Sequence, residues 1–414
     1  MAFPESSTDV PSSASIRKIV TGRLVTDGEV IDEGLVALEA DRIVYAGTAA
    51  EFSLPGWDAN DASLQRQALP LERTIMPGLV DIHCHGGDGG DFPGGDEDSA
   101  RQAIDFLHKA GTTTLLASMV TAAEADLIKG IELYVRLSNE GLIHGIHLEG
   151  PFLSHARCGA QNPAFLLSPD LSLAARLVAA GQGKLKTMTY APELEDAGAL
   201  VDFLAAHGVT PSLGHTDCDD QCAEESLAGA KVALSATSAG GRPTVTHLFN
   251  GMPPMHHRAP GPVAASLRAA ASGLAAVELI GDNTHLDPRT VRSVFEWVGG
   301  ENVVLVTDSM AAAGLSDGAY MLGPSPVTVT DGVATLDATG SIAGGTATLL
   351  QVIQRTVAAG VPLPIAVRSA TAVPAAVLGL SHEVGSLKAG YRADLVVVDA
   401  QLQLAGVVRG GRWL

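Results

Sequence analysis

The sequence has few cysteines and few aromatic residues. Its four cysteines are Cys84, Cys158, Cys218 and Cys222. They contain no CxxC pair, and four in 414 residues are too few for a disulfide framework. Cys218 and Cys222 could share a helix face at i, i+4, but unpaired thiols are the prediction, and a reducing cytoplasm is the expected location. Aromatic residues make up 4% of the chain, so the core is expected to be aliphatic.

Long apolar runs and an excess of basic residues are also missing. The Ala-rich run from Pro262 to Ala276 is interrupted by Arg268 and Ser272, so no membrane span is expected. With 26 Lys and Arg against 46 Asp and Glu, the net charge of -20 argues against a nucleic-acid partner. Any site for an anionic substrate must then be locally basic. Residues 1–16 are polar and lack the apolar run of a signal peptide, which predicts a disordered leader.

Short alternating strands are predicted at both ends of the chain. Lys18–Val25, Gly34–Glu39 and Asp41–Gly47 match strands near the start, and Ala393–Asp399 and Gly406–Gly410 match strands near the end. The two ends are expected to pair into one small β-sandwich domain, residues 17–75 and 382–414. Residues 76–381 would form a second domain inserted between them.

The middle of the chain alternates strands and helices, which predicts an α/β fold, a TIM-like (β/α)₈ barrel. Helices are expected at Asp98–Ala110, Ala122–Ser138 and Pro288–Val298. The eight predicted barrel strands are Leu79–His83, Thr113–Ser118, Gly145–Leu148, Lys186–Tyr190, Thr210–Gly214, Val245–Leu248, Val277–Gly281 and Val303–Thr307.

Metal-seeking side chains occur at or just after the ends of these strands. In chain order they are His83, His85, Glu149, His215, His247 and Asp308. The first and last lie more than two hundred residues apart, so only a fold that gathers strand ends at one face explains the pattern. Imidazole and carboxylate together suit Zn²⁺ or a similar divalent ion. Asp308 is predicted to have one or both of two roles, as a metal ligand and as the general base for the attacking water. His147 is predicted to be either a partner of Glu149 or a hydrogen-bonded core histidine.

Five segments carry a family resemblance: MPGLVDIHCH from Met76, HLEGPF from His147, LGHT from Leu213, THLFNGM from Thr246 and TDSM from Thr307. With them the chain resembles the N-acetylglucosamine-6-phosphate deacetylase family of the amidohydrolase superfamily, from about Lys18 to the end. The resemblance implies a metal-dependent hydrolase that removes acetate from N-acetylglucosamine 6-phosphate. It also implies one or two divalent ions per subunit, expected to be Zn²⁺, with Fe²⁺, Mn²⁺ or Co²⁺ as alternatives.

The resemblance also implies residue roles. Glu149, His215 and His247 match the principal metal ligands, and His83 and His85 match a pair found in members that hold two ions. Asp308 matches the catalytic acid/base, and His285 a residue near the reacting group. Asn250, Gly251 and Arg258 match the phosphate grip, with Arg258 supplied across a homodimer interface.

The chain departs from the family pattern in two places. Gln161 stands where the family often has a substrate-binding His, and Cys158 nearby is either a pocket residue or an inert thiol. Residues 237–243 are expected to be an added loop at a dimer contact or at the site entrance. Rival hypotheses are deacetylation of another amino-sugar phosphate such as the galactosamine epimer, a cyclic amidase or deaminase, and a non-catalytic member of the superfamily.

Overall fold

The structure is a computed structural model that describes residues 17–57, 65–68, 73–237 and 241–414. The predicted leader and residues 238–240 of the predicted added loop lie outside the described residues. The strands, in chain order, are β1 Arg17–Thr26, β2 Glu29–Glu39, β3 Arg42–Thr48, β4 Gln65–Ala68, β5 Thr74–Pro77, β6 Leu79–Cys84, β7 Gly86–Gly87, β8 Gly90–Asp91, β9 Thr112–Val120, β10 Gly145–Glu149, β11 Leu185–Tyr190, β12 Thr210–Leu213, β13 Thr244–Val245, β14 Ala276–Leu279, β15 Val303–Leu305, β16 Gly318–Leu322, β17 Ser325–Thr330, β18 Val333–Leu336, β19 Leu395–Val398, β20 Leu404–Arg409 and β21 Arg412–Trp413.

Helices follow most of the inner strands. They are α1 Glu97–Lys109, α2 Glu124–Asn139, α3 Leu171–Gly181, α4 Ala197–Ala206, α5 Asp220–Ser235, α6 Gly261–Ala271, α7 Pro288–Val298, α8 Leu349–Ala358, α9 Leu363–Ser369 and α10 Ala372–Val377. The chain itself marks where several of them begin. Asp96 accepts a hydrogen bond from Ser99 N at the start of α1, and Asp287 accepts one from Arg289 N at the start of α7, with Pro288 in the first turn.

Eight parallel strands form a nearly closed barrel in the order β15-β14-β13-β12-β11-β10-β9-β6. Each of the eight predicted barrel strands overlaps one of them, so the predicted (β/α)₈ class is confirmed. Backbone bonds from His85 N to Ser309 O (2.6 Å) and from Asp308 N to His83 O (2.9 Å) join the first strand to the segment after the last. The carboxyl ends of all eight strands therefore meet at one face.

Strands from both chain termini build the second sheet, in the order β21-β20-β19-β5-β1-β2-β3, with β4 paired to β1. The predicted small β-sandwich is confirmed as to fold. Its strands share one buried core: Val20, Leu24, Val36, Leu38, Ile43, Ile75, Leu395, Val397 and Val408. The predicted domain boundary at residues 75 and 76 falls within β5, and the exact bounds remain a prediction.

A single residue, Gly78, joins this sheet to the barrel. Its N–H donates to Asp394 O (2.9 Å). A Cβ at this position would lie 2.1 Å from Thr113 Oγ1 and 2.7 Å from Asp394 Cβ. Only glycine therefore allows the two sheets to approach so closely.

A three-stranded antiparallel sheet, β16-β17-β18, follows the last barrel strand and was not predicted. Leu322, Val327, Val329 and Leu336 are buried in its own small core. Among the described residues, no helix has the length and apolar character needed to cross a membrane.

Candidate metal centre and active site

Two groups of candidate metal ligands meet at the carboxyl face of the barrel and share one carboxylate. His83, His85 and Glu149 form the first group, and Glu149, His215 and His247 form the second. All five side chains are at most 6% exposed. The sequence therefore predicted residues that the fold does bring together.

The second group is the tighter of the two. Glu149 Oε1 lies 2.8 Å from His215 Nε2 and 2.9 Å from His247 Nε2, and the two nitrogens are 3.1 Å apart. With metal–nitrogen bonds of about 2.0–2.1 Å, tetrahedral ligand atoms stand roughly 3.3 Å apart. The donor set therefore fits a divalent ion in both chemistry and spacing.

The first group includes Asp308 as a close neighbour. His83 Nε2 and His85 Nε2 are 3.2 Å apart, and Asp308 Oδ1 lies 3.4 and 3.1 Å from them. His85 Nε2 is also 3.4 Å from Glu149 Oε2. Glu149 thus faces both groups with its two oxygens, an arrangement able to bridge two ions.

Backbone strain aims three of these side chains into the barrel mouth. His215, His247 and Asp308 have φ of 47°, 28° and 48°, the left-handed region that non-glycine residues rarely adopt. Each follows the end of a barrel strand within three residues. Such strain is maintained only where the surrounding structure imposes it, and it is concentrated at functional sites.

Outer hydrogen bonds fix the orientation of the imidazole rings. His83 Nδ1 lies 3.0 Å from Glu278 Oε2, His85 Nδ1 lies 3.2 Å from Ser118 O, and His215 Nδ1 lies 2.7 Å from Arg157 O. Ligating histidines use their second nitrogen in this way, which directs Nε2 at the ion. Within the described residues, the buried His247 Nδ1 has no hydrogen-bond partner.

The electrostatics of the centre keep its two carboxylates ionised. Burial disfavours the charged form of Glu149, but hydrogen bonds from His215 and His247 hold its pKa well below the usual value. Burial likewise opposes ionisation of Asp308, and the neighbouring His83 and His85 nevertheless lower its pKa. Both carboxylates therefore carry negative charge at neutral pH.

A cavity of about 240 Å³ opens onto the centre. Its wall includes Asn250, Gly251, His285 and Gln161 beside the ligands, and Leu322, Ser341, Ile342 and Gly344 from β16 and the segment after β18. The sequence analysis did not predict this side of the cavity. The sequence does contain Asp331-Gly332 between two alternating segments, which is typical of a β-hairpin turn.

Gln161 holds a metal-ligand candidate in place. Its Nε2 donates to Glu149 Oε2 (2.7 Å), and its Oε1 accepts from Thr121 N (2.7 Å). Gln161 occupies the position of a substrate-binding His in the family, and it lines the cavity, so a substrate contact stays a prediction.

The remaining predicted residues fall in different environments. His147 Nδ1 and Nε2 lie 2.9 Å from Ser118 Oγ and Thr189 Oγ1, so the hydrogen-bonded core alternative is the one observed. Cys158 is a half-buried free thiol, and the cavity wall contains its neighbour Gly159 instead. Arg258 is exposed and outside the cavity wall of its own chain.

Two acidic residues that sequence reasoning missed support the site from behind. Glu278, 2% exposed in β14, accepts from His247 N (3.2 Å) as well as contacting His83. Asp282 Oδ2 lies 2.8 Å from His285 Nδ1. A glutamate inside an otherwise apolar barrel strand was the only signal for the first of them.

Comparison with known proteins places the site in context. The model of the amidohydrolase family matches residues 74–414. The N-acetylglucosamine-6-phosphate deacetylase of Bacillus subtilis is 31% identical over 92% of each chain. The N-acetylgalactosamine-6-phosphate deacetylase of Escherichia coli O157:H7 is 32% identical over 80% of this chain and 85% of that protein. The structure is also similar to that of the N-acetyl-D-glucosamine-6-phosphate deacetylase of Mycobacterium smegmatis, with a TM-score of 0.85 and 38% identity over 96% of this chain and 100% of that one.

Proposed function

Given that this chain belongs to the amidohydrolase family, we propose that it hydrolyses the acetamide of N-acetylglucosamine 6-phosphate to glucosamine 6-phosphate and acetate. One observation carries the proposal: a buried set of four imidazoles and two carboxylates lies at the barrel mouth, and all of them except His83 line a cavity there. Relatives similar over most of the chain carry the name of this activity.

The centre has residues for one or two divalent ions. Glu149, His215 and His247 would hold the first, and His83, His85 and Asp308 with the shared Glu149 would hold the second. A bound ion would polarise the acetamide carbonyl and lower the pKa of the attacking water. Zn²⁺ is the proposed ion because imidazole and carboxylate suit it, although Fe²⁺, Mn²⁺ and Co²⁺ accept the same donors.

Asp308 is placed to move the proton. Its Oδ1 lies 3.1 Å from His85 Nε2, its Oδ2 lies 3.9 Å from His285 Nε2, and the residue lines the cavity. Ionised at neutral pH, Asp308 takes the proton of the attacking water and then delivers it to the departing amine.

His285 is placed to stabilise the negative oxygen formed during attack. Burial lowers its pKa, but the hydrogen bond and charge of Asp282 outweigh burial, and the net shift is upward. In the imidazolium form that the raised pKa favours, Nδ1–H donates to Asp282 and Nε2–H would donate toward the reacting group.

Phosphate recognition would use Asn250, the backbone of Gly251 and Arg258. The first two lie in the cavity wall, whereas Arg258 is exposed, and its guanidinium forms a hydrogen bond with His257 Nε2 (2.7 Å) of its own loop. We therefore propose a homodimer in which Arg258 reaches the phosphate in the neighbouring subunit.

The free state of all four thiols supports a cytoplasmic location.

The reaction is tested by measuring acetate release from N-acetylglucosamine 6-phosphate, its galactosamine epimer and unphosphorylated N-acetylglucosamine. We expect loss of the phosphate to lower kcat/KM at least about a hundredfold, because charge-assisted hydrogen bonds are lost. The galactosamine-named relative makes the epimer the second candidate. Equal turnover without the phosphate would favour a cyclic amidase or deaminase, and no turnover by fully metallated protein would refute the proposal.

Cross-subunit donation by Arg258 is tested by mixing two weak variants. Arg258→Ala and Asp308→Asn are purified separately, then dissociated and reassociated together. In a mixed dimer the Arg258→Ala subunit keeps Asp308 and receives an intact Arg258 from its partner. Random pairing should restore about a quarter of wild-type activity, because half of the dimers then contain one complete site of two. If Arg258 acts within its own chain, mixing restores nothing.

A further inference from the structure

A second cavity, of about 180 Å³, lies at the end of the barrel opposite the metal centre. Its wall contains His144 just before β10 and Lys184 and Lys186 around the start of β11. Arg392 and Arg409 reach it from the terminal sheet. We call it the basic cavity and define it by these five residues. Because β10 has five residues from Gly145 to Glu149, the two cavities are separated by roughly 17 Å of strand.

The charge of the basic cavity is opposite to that of the chain. Four of the chain's 26 Lys and Arg residues line it, and no Asp or Glu belongs to its wall. The carboxylate of Asp394, which is outside the wall, accepts from Arg392 Nε (2.6 Å) and neutralises that one guanidinium. In the described part of the chain, Lys184, Lys186 and Arg409 form no ion pair. At a net charge of -20, such clustering requires a specific reason.

The clustered cations repel one another. Burial, followed by the charges of Lys186, Lys184 and Arg392, lowers the pKa of His144 to about 4. Burial and then Lys184 lower the pKa of Lys186, and burial and then Arg392 lower that of Arg409. Burial is the largest cause of each shift, and the neighbouring positive charges act in the same direction.

Docking of the terminal sheet accounts for the two arginines but not for the lysines. Arg409 Nε donates to Thr113 O (3.1 Å), and Arg392 Nη2 donates to the same oxygen (3.2 Å). By contrast, Lys186 Nζ donates only to Gly183 O (2.8 Å), three residues away in the same segment. The half-buried Lys184 contributes charge to the wall without a side-chain hydrogen bond to any described residue.

From this geometry we infer that the basic cavity is a second anion site, which binds a phosphate group as free orthophosphate or as the phosphoryl group of a small metabolite. Its volume is smaller than the 240 Å³ of the cavity at the metal centre, which suits a small anion such as a phosphate group. Guanidinium and ammonium donors are the groups that proteins use for phosphate. The inference does not depend on the proposed deacetylase activity.

The experiment is calorimetric titration of the full-length protein with orthophosphate, and separately with glucose 6-phosphate, at constant ionic strength. The test variant is Lys184→Gln/Lys186→Gln. The matched control is Lys109→Gln/Lys129→Gln, which removes two exposed lysines from outer helices. We expect the test variant to lose one orthophosphate site per subunit, or to bind there at least about tenfold more weakly, while the control matches the wild type.

The outcomes separate the two sources of phosphate. Loss for orthophosphate alone supports the free ion, and loss for both ligands supports a phosphomonoester. Unchanged stoichiometry and affinity for both would overturn the inference. If the wild type binds two orthophosphate ions per subunit and the test variant binds one, the remaining site is the catalytic phosphate site. If the wild type binds one and the test variant binds none, the result contradicts the proposed phosphate grip and not the basic cavity.

Thermal unfolding provides a second readout that a structural role would not produce. In phosphate-free buffer the test variant should keep or raise its Tm, because like-charge repulsion is relieved. Phosphate should raise the Tm of the wild type and of the control more than that of the test variant. A lower Tm without phosphate, with an unchanged response to phosphate, would assign the lysines to folding and overturn the inference.

Discussion

Asp308→Asn is expected to lower kcat for acetate release by roughly 10²- to 10⁴-fold, the range for loss of a general acid/base. The substitution keeps the size of the side chain but removes its capacity to accept a proton. Asp308 stands at the edge of the ligand groups, 3.1 Å from His85 Nε2, whereas the Glu149, His215 and His247 group lacks it altogether. The ion held by that group should therefore remain, and any loss of metal should be confined to the second ion, which Asp308 would help to hold. Steady-state kinetics and elemental analysis of the same preparation check both parts.

The matched control for this variant is Asp202→Asn, which removes a carboxylate from the exposed face of α4. It should turn over at the wild-type rate. Near-normal turnover by Asp308→Asn at full metal content would refute the proton-transfer role. A parallel loss of metal and activity would instead make Asp308 chiefly a ligand.

Glu149→Gln is expected to abolish activity by removing metal from both groups at once. Glu149 is the only residue common to the two, and its oxygens face His215 and His247 on one side and His85 on the other. An amide has no negative charge to offer a cation. Loss of an outer partner already weakens metal binding about 10- to 100-fold, and loss of the shared ligand should exceed that.

Elemental analysis after dialysis, followed by titration with Zn²⁺, measures the effect. His85→Asn is the matched comparison, because His85 belongs to the first group alone. The His85→Asn variant should lose at most one metal ion per subunit. The Glu149→Gln variant should lose all the metal ions that the wild type binds. Full metal content in Glu149→Gln would show that the shared carboxylate is not needed for binding.

The candidate ligands were predictable because each lies at or just after the end of a barrel strand. The carboxyl ends of parallel barrel strands meet at one face of the barrel. Because Asp308 directly follows the predicted strand Val303–Thr307, its carboxylate could be assigned to that face from the sequence. Local signals were equally informative for α7, whose predicted and observed bounds coincide because Asp287 and Pro288 mark its start.

The supporting residues were harder to predict because their partners are distant in sequence. Glu278 contacts His83 across 195 residues, and strand periodicity cannot identify that partner. Gln161 was matched to a family substrate contact, yet its amide also fixes Glu149 through geometry that only the folded loop creates. The sheet of β16, β17 and β18 was missed because the barrel pattern had already accounted for its eight strands.

The position of β5 determines when the small sheet can be completed during synthesis. β5 pairs with β1 along one edge and with β19 along the other, Ile75 lying opposite Val397. More than three hundred residues separate β5 from β19, so at about 5–20 residues per second the ribosome needs roughly 15–60 s to supply the partner. For that time β5 presents an unpaired edge, the kind of surface that recruits other chains. A nascent chain arrested before Leu395 therefore contains all eight barrel strands, but the β5 edge of its terminal sheet is still unpaired. We expect chaperones to bind such a chain.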